Sequence, residues 1–197
     1  MTSSELVLPE RRAFFGTSAM ALSTAGIVAL FGAGCAQAAR PAAAAPASPG
    51  QDVQLLNAAI ALEHEGIAAY TIGAGSGLLQ PAVVRIGVTF RGHHQQHRDE
   101  LIAAVRALGG TPVAAKTDAE YATALNVASL HNQNDVLRLA LGLERGAANA
   151  YLGLIPTLGV NYHQIAARMA GDEAFHAAIL GNALGEPIPT AGLMFGG

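Results

Sequence analysis

The sequence predicts an all-α fold: an antiparallel four-helix bundle made of two helical hairpins joined by a long crossover. Three features predict it. Apolar residues recur at steps of three and four along four long segments. The second pair of segments repeats the first, each pair carrying a Leu-Glu whose Glu is followed seven residues later by a Tyr. No stretch of the chain reads as a strand.

The first segment runs from Asp52 to about Ala74, with Leu56, Ile60, Glu63, Ile67 and Tyr70 on one face. Asp52 suits its N-cap, and Gly73, Gly75 and Gly77 loosen its end. Pro81 opens the second segment, where a missing N–H does no harm. Its inward stripe is Ile86, Phe90, His93 or His94, His97, Leu101, Ala104 and Leu108, and Gly109-Gly110 ends it. About twenty less periodic residues follow, Thr111 to Leu130. The third helix is expected from Asn132 or Asp135 to Ile155, with Leu137, Leu141, Glu144, Ala148 and Tyr151 facing in. Pro156, Gly159 and Asn161 make the turn to the fourth, Tyr162 to Leu184, which carries Ile165, Met169, Asp172 or Glu173, His176 and Leu180. Short connections make hairpins of the first and last pairs. A helix of about 25 residues is roughly 37 Å long, and about twenty extended residues can cover that length. The middle connection can therefore cross the bundle and relate the hairpins by an approximate two-fold.

The chain has 197 residues, of which 51% are hydrophobic and 13% charged, so roughly one domain remains after its unusual first fifty. A net charge of −3 offers no basic footprint for nucleic acid. Cys35 is the only cysteine, which excludes an intrachain disulfide and any four-cysteine metal site. Residues 1–38 read as a signal. Arg11-Arg12 precede a moderately apolar run to about Ala33, and Ala36-Gln37-Ala38 offers small residues at a cleavage point. The pattern resembles a twin-arginine export signal, with an uncleaved membrane anchor as the rival reading. It implies a periplasmic or otherwise exported protein. Gly32-Ala33-Gly34-Cys35 partly resembles a lipoprotein box, although Gly32 stands where a bulky aliphatic residue is usual. Lipidation of Cys35 is the minority reading. Residues 39–50, with Pro41, Pro46 and Pro49, read as a linker, and 51–197 as the folded domain.

The candidate site lies in the polar residues that interrupt the apolar stripes. Carboxylates and imidazoles are costly inside a helical core unless they share a charge partner or a metal. Glu63 and Glu144 occupy equivalent repeat positions. About thirty residues after each comes a second cluster, Gly92-His93-His94-Gln95-Gln96-His97 and Gly171-Asp172-Glu173-Ala174-Phe175-His176. Residues three apart on a helix lie side by side, so Glu173 with His176, and His94 with His97, can each face one ion. His93 with His97, or His97 with Glu100, are rival registers. The repeat favours His94 and His97, because Gly92 aligns with Gly171 and His97 with His176. Tyr70 and Tyr151 are candidate donors behind the ligands, or ordinary core residues. His93 and Asp172, also equivalent, are candidates to hydrogen-bond the ligands. His64, Glu65 and Arg145 flank the stripe, and His131 and His163 fall near helix ends.

Across about Gln51 to Leu184 these motifs resemble the ferritin-like superfamily, particularly exported bacterial ferritin-like proteins with symmetric, rubrerythrin-like halves. That family's scheme is one Glu from each of two helices plus Glu-x-x-His from the other two. Glu173-Ala174-Phe175-His176 matches fully, and Glu63 and Glu144 match, whereas His94 stands where the family has Glu. The resemblance implies two transition-metal ions held by Glu63, His94, His97, Glu144, Glu173 and His176, with Glu63 and Glu144 bridging or terminal. Iron is the first expectation. The third imidazole moves preference away from manganese and toward zinc or copper. The resemblance further implies oxidation of Fe(II) or another reductant by O2 or peroxide, and a homodimer is compatible with it. Two other readings remain: a metal-binding protein without turnover, and a metal-free structural or stress-protective bundle. Membrane contact is expected only through the signal or a lipidated Cys35.

Overall fold

The computed structural model describes residues 48–196. The expected signal, Cys35 and most of the expected linker lie outside the described residues. Among the described residues the secondary structure is entirely helical: α1 Pro49–Gly75, α2 Pro81–Ala107, α3 Asp118–Ala124, α4 Gln133–Leu154 and α5 His163–Ala183, with short 3₁₀ turns at Val127–Ser129, Ile155–Thr157 and Val160–Tyr162. None of these helices is long and apolar enough to cross a membrane.

The first helix begins earlier than its apolar stripe suggested. Ser48 caps it by accepting from the Gln51 amide at 3.2 Å, and Pro49 occupies the first turn. Residues expected to end the linker therefore belong to α1. Asp52 is not the cap. It is buried one turn in, where its carboxylate accepts from the Gly159 amide at 2.8 Å and ties α1 to the α4–α5 turn. The other boundaries fall within about two residues of expectation, the usual fraying of helix ends.

Side-chain contacts define the directions. Asn57, early in α1, bonds the backbone of Thr111 and Val113 just beyond α2, while Tyr70, late in α1, meets Phe90 early in α2. These two helices therefore run antiparallel. In α4 and α5, Glu144 meets His176 and Arg145 pairs with Glu186 just past the helix. Between the hairpins, Tyr151 reaches Glu63 and Tyr70 reaches Glu144, so α1 is antiparallel to α4. The crossover leaves α2 beside Asn57 and enters α4 where Gln133 accepts from the Gln80 amide, so it travels the length of the molecule.

The crossover is more ordered than its weak periodicity implied. Thr117 accepts from the Glu120 amide, and Glu120 accepts from the Thr117 amide at 2.8 Å, a capping box that starts α3. Its Tyr121 and Leu125 bury themselves against Ala68 and Ala69 of α1. Two further apolar clusters sit at opposite ends of the long helices. One contains Leu56, Ile60, Leu101, Val105, Leu154 and Met169. The other contains Tyr70, Phe90, Leu137, Leu141 and Leu180, with Phe195 of the tail packed against it. The tail residue Leu193 is fully exposed. Between the two clusters lies a layer of buried polar side chains.

Candidate metal centre

Each long helix delivers its share of that layer on the face its apolar stripe turns inward. Glu63 comes from α1, His94 and His97 from α2, Glu144 from α4, and Glu173 and His176 from α5. All six are buried, and Glu173 and His176 are fully enclosed. The 94/97 register is thus the one the structure adopts.

The donor atoms converge. His94 Nδ1 lies 2.7 Å from Glu63 Oε2, and its Nε2 lies 3.3 Å from Glu144 Oε1. His97 Nδ1 is 3.1 Å from Glu173 Oε1, and His176 Nδ1 is 3.3 Å from Glu173 Oε2 and 3.4 Å from Glu144 Oε2. They form two overlapping groups, Glu63–His94–His97–Glu173 and His94–Glu144–Glu173–His176, with ligand atoms in each within 4.8 Å of one another. His94 and Glu173 belong to both. Three carboxylates and three imidazoles in this packing are a donor set that could hold metal ions.

The surrounding residues hold these donors in place. Tyr70 donates its hydroxyl to Glu144, and Tyr151 donates to Glu63. Each tyrosine thus supports the carboxylate of the other hairpin, a reciprocal pair that follows from the repeat. His93 and Asp172 also contact two of the candidate donors. His93 Nδ1 lies 2.9 Å from His176 Nε2, and Asp172 Oδ2 lies 3.1 Å from His97 Nε2. Asp172 is exposed and His93 half-buried, so this pair of contacts lies on the solvent side of α2 and α5. Such outer partners orient a ligating imidazole and fix which nitrogen faces inward.

Two residues had no role at the site in the sequence reading, although Phe90 was expected to face inward. The Phe90 ring stacks on His176 with centroids 4.0 Å apart. Gly66 lets His94 press against α1, since a Cβ there would sit 3.0 Å from the imidazole. In the repeat, Gly66 aligns with Ala147 as His94 aligns with Glu173. The larger ring at 94 is therefore matched by a smaller residue facing it. A lone glycine in mid-helix, one turn from Glu63, was the available signal. The flanking residues are peripheral: His64 contacts the Val113 carbonyl, Arg145 pairs with Glu186, and His163 contacts the Leu158 carbonyl.

The electrostatics follow from packing opposite charges together. Burial works against a charged His97, but its hydrogen bond to Glu173 and the nearby Glu63 carboxylate outweigh it and raise its pKa to about 10. Burial likewise opposes a charged His94, and Glu144 and Glu63 hold its pKa well above the ordinary value. Burial raises Glu63 and Glu144, yet their partners win and hold both below the usual carboxylate range. The partners are His94 and His97 for Glu63, and Glu173, His176 and His94 for Glu144. Glu173 goes the other way, raised by burial and by its hydrogen bond to Glu144. Burial, then the adjacent carboxylates, keeps both tyrosines protonated donors. No buried side-chain polar atom among the described residues lacks a partner. Protons on the imidazoles thus balance the carboxylates where divalent ions would otherwise do so.

Comparison with known proteins agrees with this architecture. No curated protein matches the sequence. Among solved structures, a conserved hypothetical protein from Mycobacterium tuberculosis superposes with a TM-score of 0.59 at 24% identity. The match covers 73% of this chain and 99% of that one, and at this identity it speaks to the fold alone. The profile of the ferritin-like domain family matches residues 51–186, which include all six buried donors, and the chain therefore belongs to that family.

Proposed function

We propose that this is an exported ferritin-like protein, an antiparallel four-helix bundle that holds a dinuclear transition-metal centre, with iron as its resident metal. The observation that carries the reading is the pair of overlapping donor groups, each drawn from both hairpins and buried between two apolar clusters. Glu63 and His97 would serve one ion, and Glu144 and His176 the other. Glu173 belongs to both groups, as His94 does, and its carboxylate would be shared between the two ions, with Glu63 and Glu144 each serving one. Two iron ions bound there would supply redox chemistry toward O2 or peroxide, with Fe(II) as the reductant. The chain's own part is to hold geometry. Tyr70 and Tyr151 fix the terminal carboxylates, Asp172 and His93 orient His97 and His176, and the apolar clusters limit water at either end. The paired arginines ahead of the apolar N-terminal run support export.

One observation favours a second reading, a metal-binding protein without turnover: His94 replaces a carboxylate and makes the donor set softer. O2 consumption on adding Fe(II) to metal-free protein separates the two. Uptake that saturates with the site and vanishes in Glu173→Ala supports the oxidase. Retained metal with no uptake above the buffer rate supports the binding protein.

A further inference from the structure

The repeat that builds the metal centre also supplies an internal control for the two ends of the molecule. In the register set by Glu63 with Glu144 and Tyr70 with Tyr151, Gly73 of α1 corresponds to Leu154 of α4, and Ala74 to Ile155. In the register set by His97 with His176, Val83 corresponds to Tyr162, and Gly87 to Ala166. The larger members of these pairs fill one end. Leu154 is 1% exposed inside the cluster around Leu56, Leu101 and Met169, with Ile155 and Tyr162 packed against it. At the other end stand the smaller members, and there the interior is hollow.

The hollow has about 690 Å³ of empty space, its mouth included, and Gly73, Ala74, Val83 and Gly87 all line it. Leu125, Val127 and Leu130 of the crossover form one wall, and Leu137, Ala140 and Leu180 line it from α4 and α5. Among the described residues no lining side chain is charged, and Tyr70 is the only polar one. Its hydroxyl is already given to Glu144, and its ring already meets Phe90 and His94. Water inside would find no side-chain partners, so the space is one an apolar ligand can claim. The walls are aliphatic apart from the Tyr70 ring, which suits an alkyl chain.

We propose that this pocket binds a free, neutral alkyl compound, such as a medium-chain alcohol, with its inner end against the Tyr70 ring. Bound there, the chain would be one side chain away from Glu144 of the metal centre. The site needs no metal, so it stands or falls separately from the proposed redox function.

The test titrates 1-decanol into the protein by calorimetry and compares Gly87→Leu. A Cβ at Gly87 would meet only the Tyr70 ring, at 3.5 Å, an ordinary contact that leaves room for a side chain to grow into the pocket. We expect saturable 1:1 binding that weakens at least about tenfold in the variant, the loss of only about 1.4 kcal/mol, with helicity and metal content unchanged. A diazirine-bearing decanol, photolysed on the parent protein, should label residues 69–87 and 125–140, and this arm decides the matter even if the variant folds poorly. No saturable binding, labelling elsewhere, undiminished binding by a folded Gly87→Leu, or uptake only from phosphatidylcholine vesicles overturns the proposal.

Discussion

Replacing Tyr151 with Phe removes one hydroxyl and no bulk, which isolates the support that α4 lends to Glu63. Tyr151 is 1% exposed and donates to Glu63 Oε1, whose other charged neighbour among the described residues is His97 at 3.7 Å, too far for a good hydrogen bond. The other oxygen keeps His94 at 2.7 Å. The variant therefore leaves one oxygen of a buried carboxylate without a donor, in a place water does not reach. A hydrogen bond to a charged group contributes about 1.5–3 kcal/mol. For a domain of about 150 residues each kcal/mol moves Tm by roughly 2–4 °C, so metal-free Tyr151→Phe should melt roughly 3–12 °C below the parent. The repeat provides the comparison. Tyr70→Phe removes the donor to Glu144 Oε1, but His94 Nε2 remains 3.3 Å away and Tyr70 borders the hollow end. Its loss should be smaller, about 1 kcal/mol. Calorimetric melting of the parent, both singles and the double at pH 6 measures all three. A Tyr151→Phe cost under about 0.5 kcal/mol, or a larger effect at Tyr70, would refute the argument that the two clamps are reciprocal but unequally enclosed.

Three more outcomes follow from the same geometry. His97 and His94 have folded pKa values above the ordinary 6.5, so their stabilisation is complete below that pH and is lost as pH rises, for His97 through about 10. Metal-free protein should therefore lose on the order of 3 kcal/mol between pH 6.5 and 10, while metal-loaded protein, whose ligands have released their protons, should not; melting at pH 6.5, 8 and 9.5 checks this. On the acid side Glu63 and Glu144, both depressed, stabilise above about 4.5 and cease to as pH falls below it. His94→Glu restores a fourth carboxylate opposite Gly66 and should raise the Mn(II)-to-Zn(II) affinity ratio by on the order of tenfold, about 1.4 kcal/mol, read by competition with a chelator. Thr117→Ala breaks the capping box and should cost about 1 kcal/mol, seen as faster amide exchange across Asp118–Ala124 with metal content unchanged.

The four long helices were legible because their stripes are long and their ends carry Pro or Gly. The six donors were legible because they sit in those stripes at matching depth and appear twice. What escaped the sequence depends on which elements become neighbours. Spacing put Tyr70 near Glu63 on one helix, yet its hydroxyl crosses to Glu144, a choice made by the antiparallel packing of α1 on α4. Asp52 has the chemistry of a cap, but Ser48 and Pro49 start the helix first and leave the carboxylate to the Gly159 amide. The short α3 carries too few turns to show periodicity. Its Thr117-x-x-Glu120 box was nevertheless in plain sight, a local signal that outranks periodicity in a seven-residue helix. The sharing of Glu173 and His94 between two donor groups is a matter of angstroms, which residue spacing does not encode.

Metal stoichiometry across three variants tests the central claim most directly. Metal-free protein is loaded with Fe(II) without oxygen, passed through gel filtration and analysed for iron, beside Glu63→Ala, Glu144→Ala and Glu173→Ala. Two overlapping groups joined through Glu173 predict two ions per chain in the parent. They predict about one in either terminal variant and none held firmly in Glu173→Ala, with each terminal variant losing about half of the metal-induced rise in Tm. A single ion in the parent, or full loading of Glu173→Ala, would contradict a dinuclear centre built on that carboxylate.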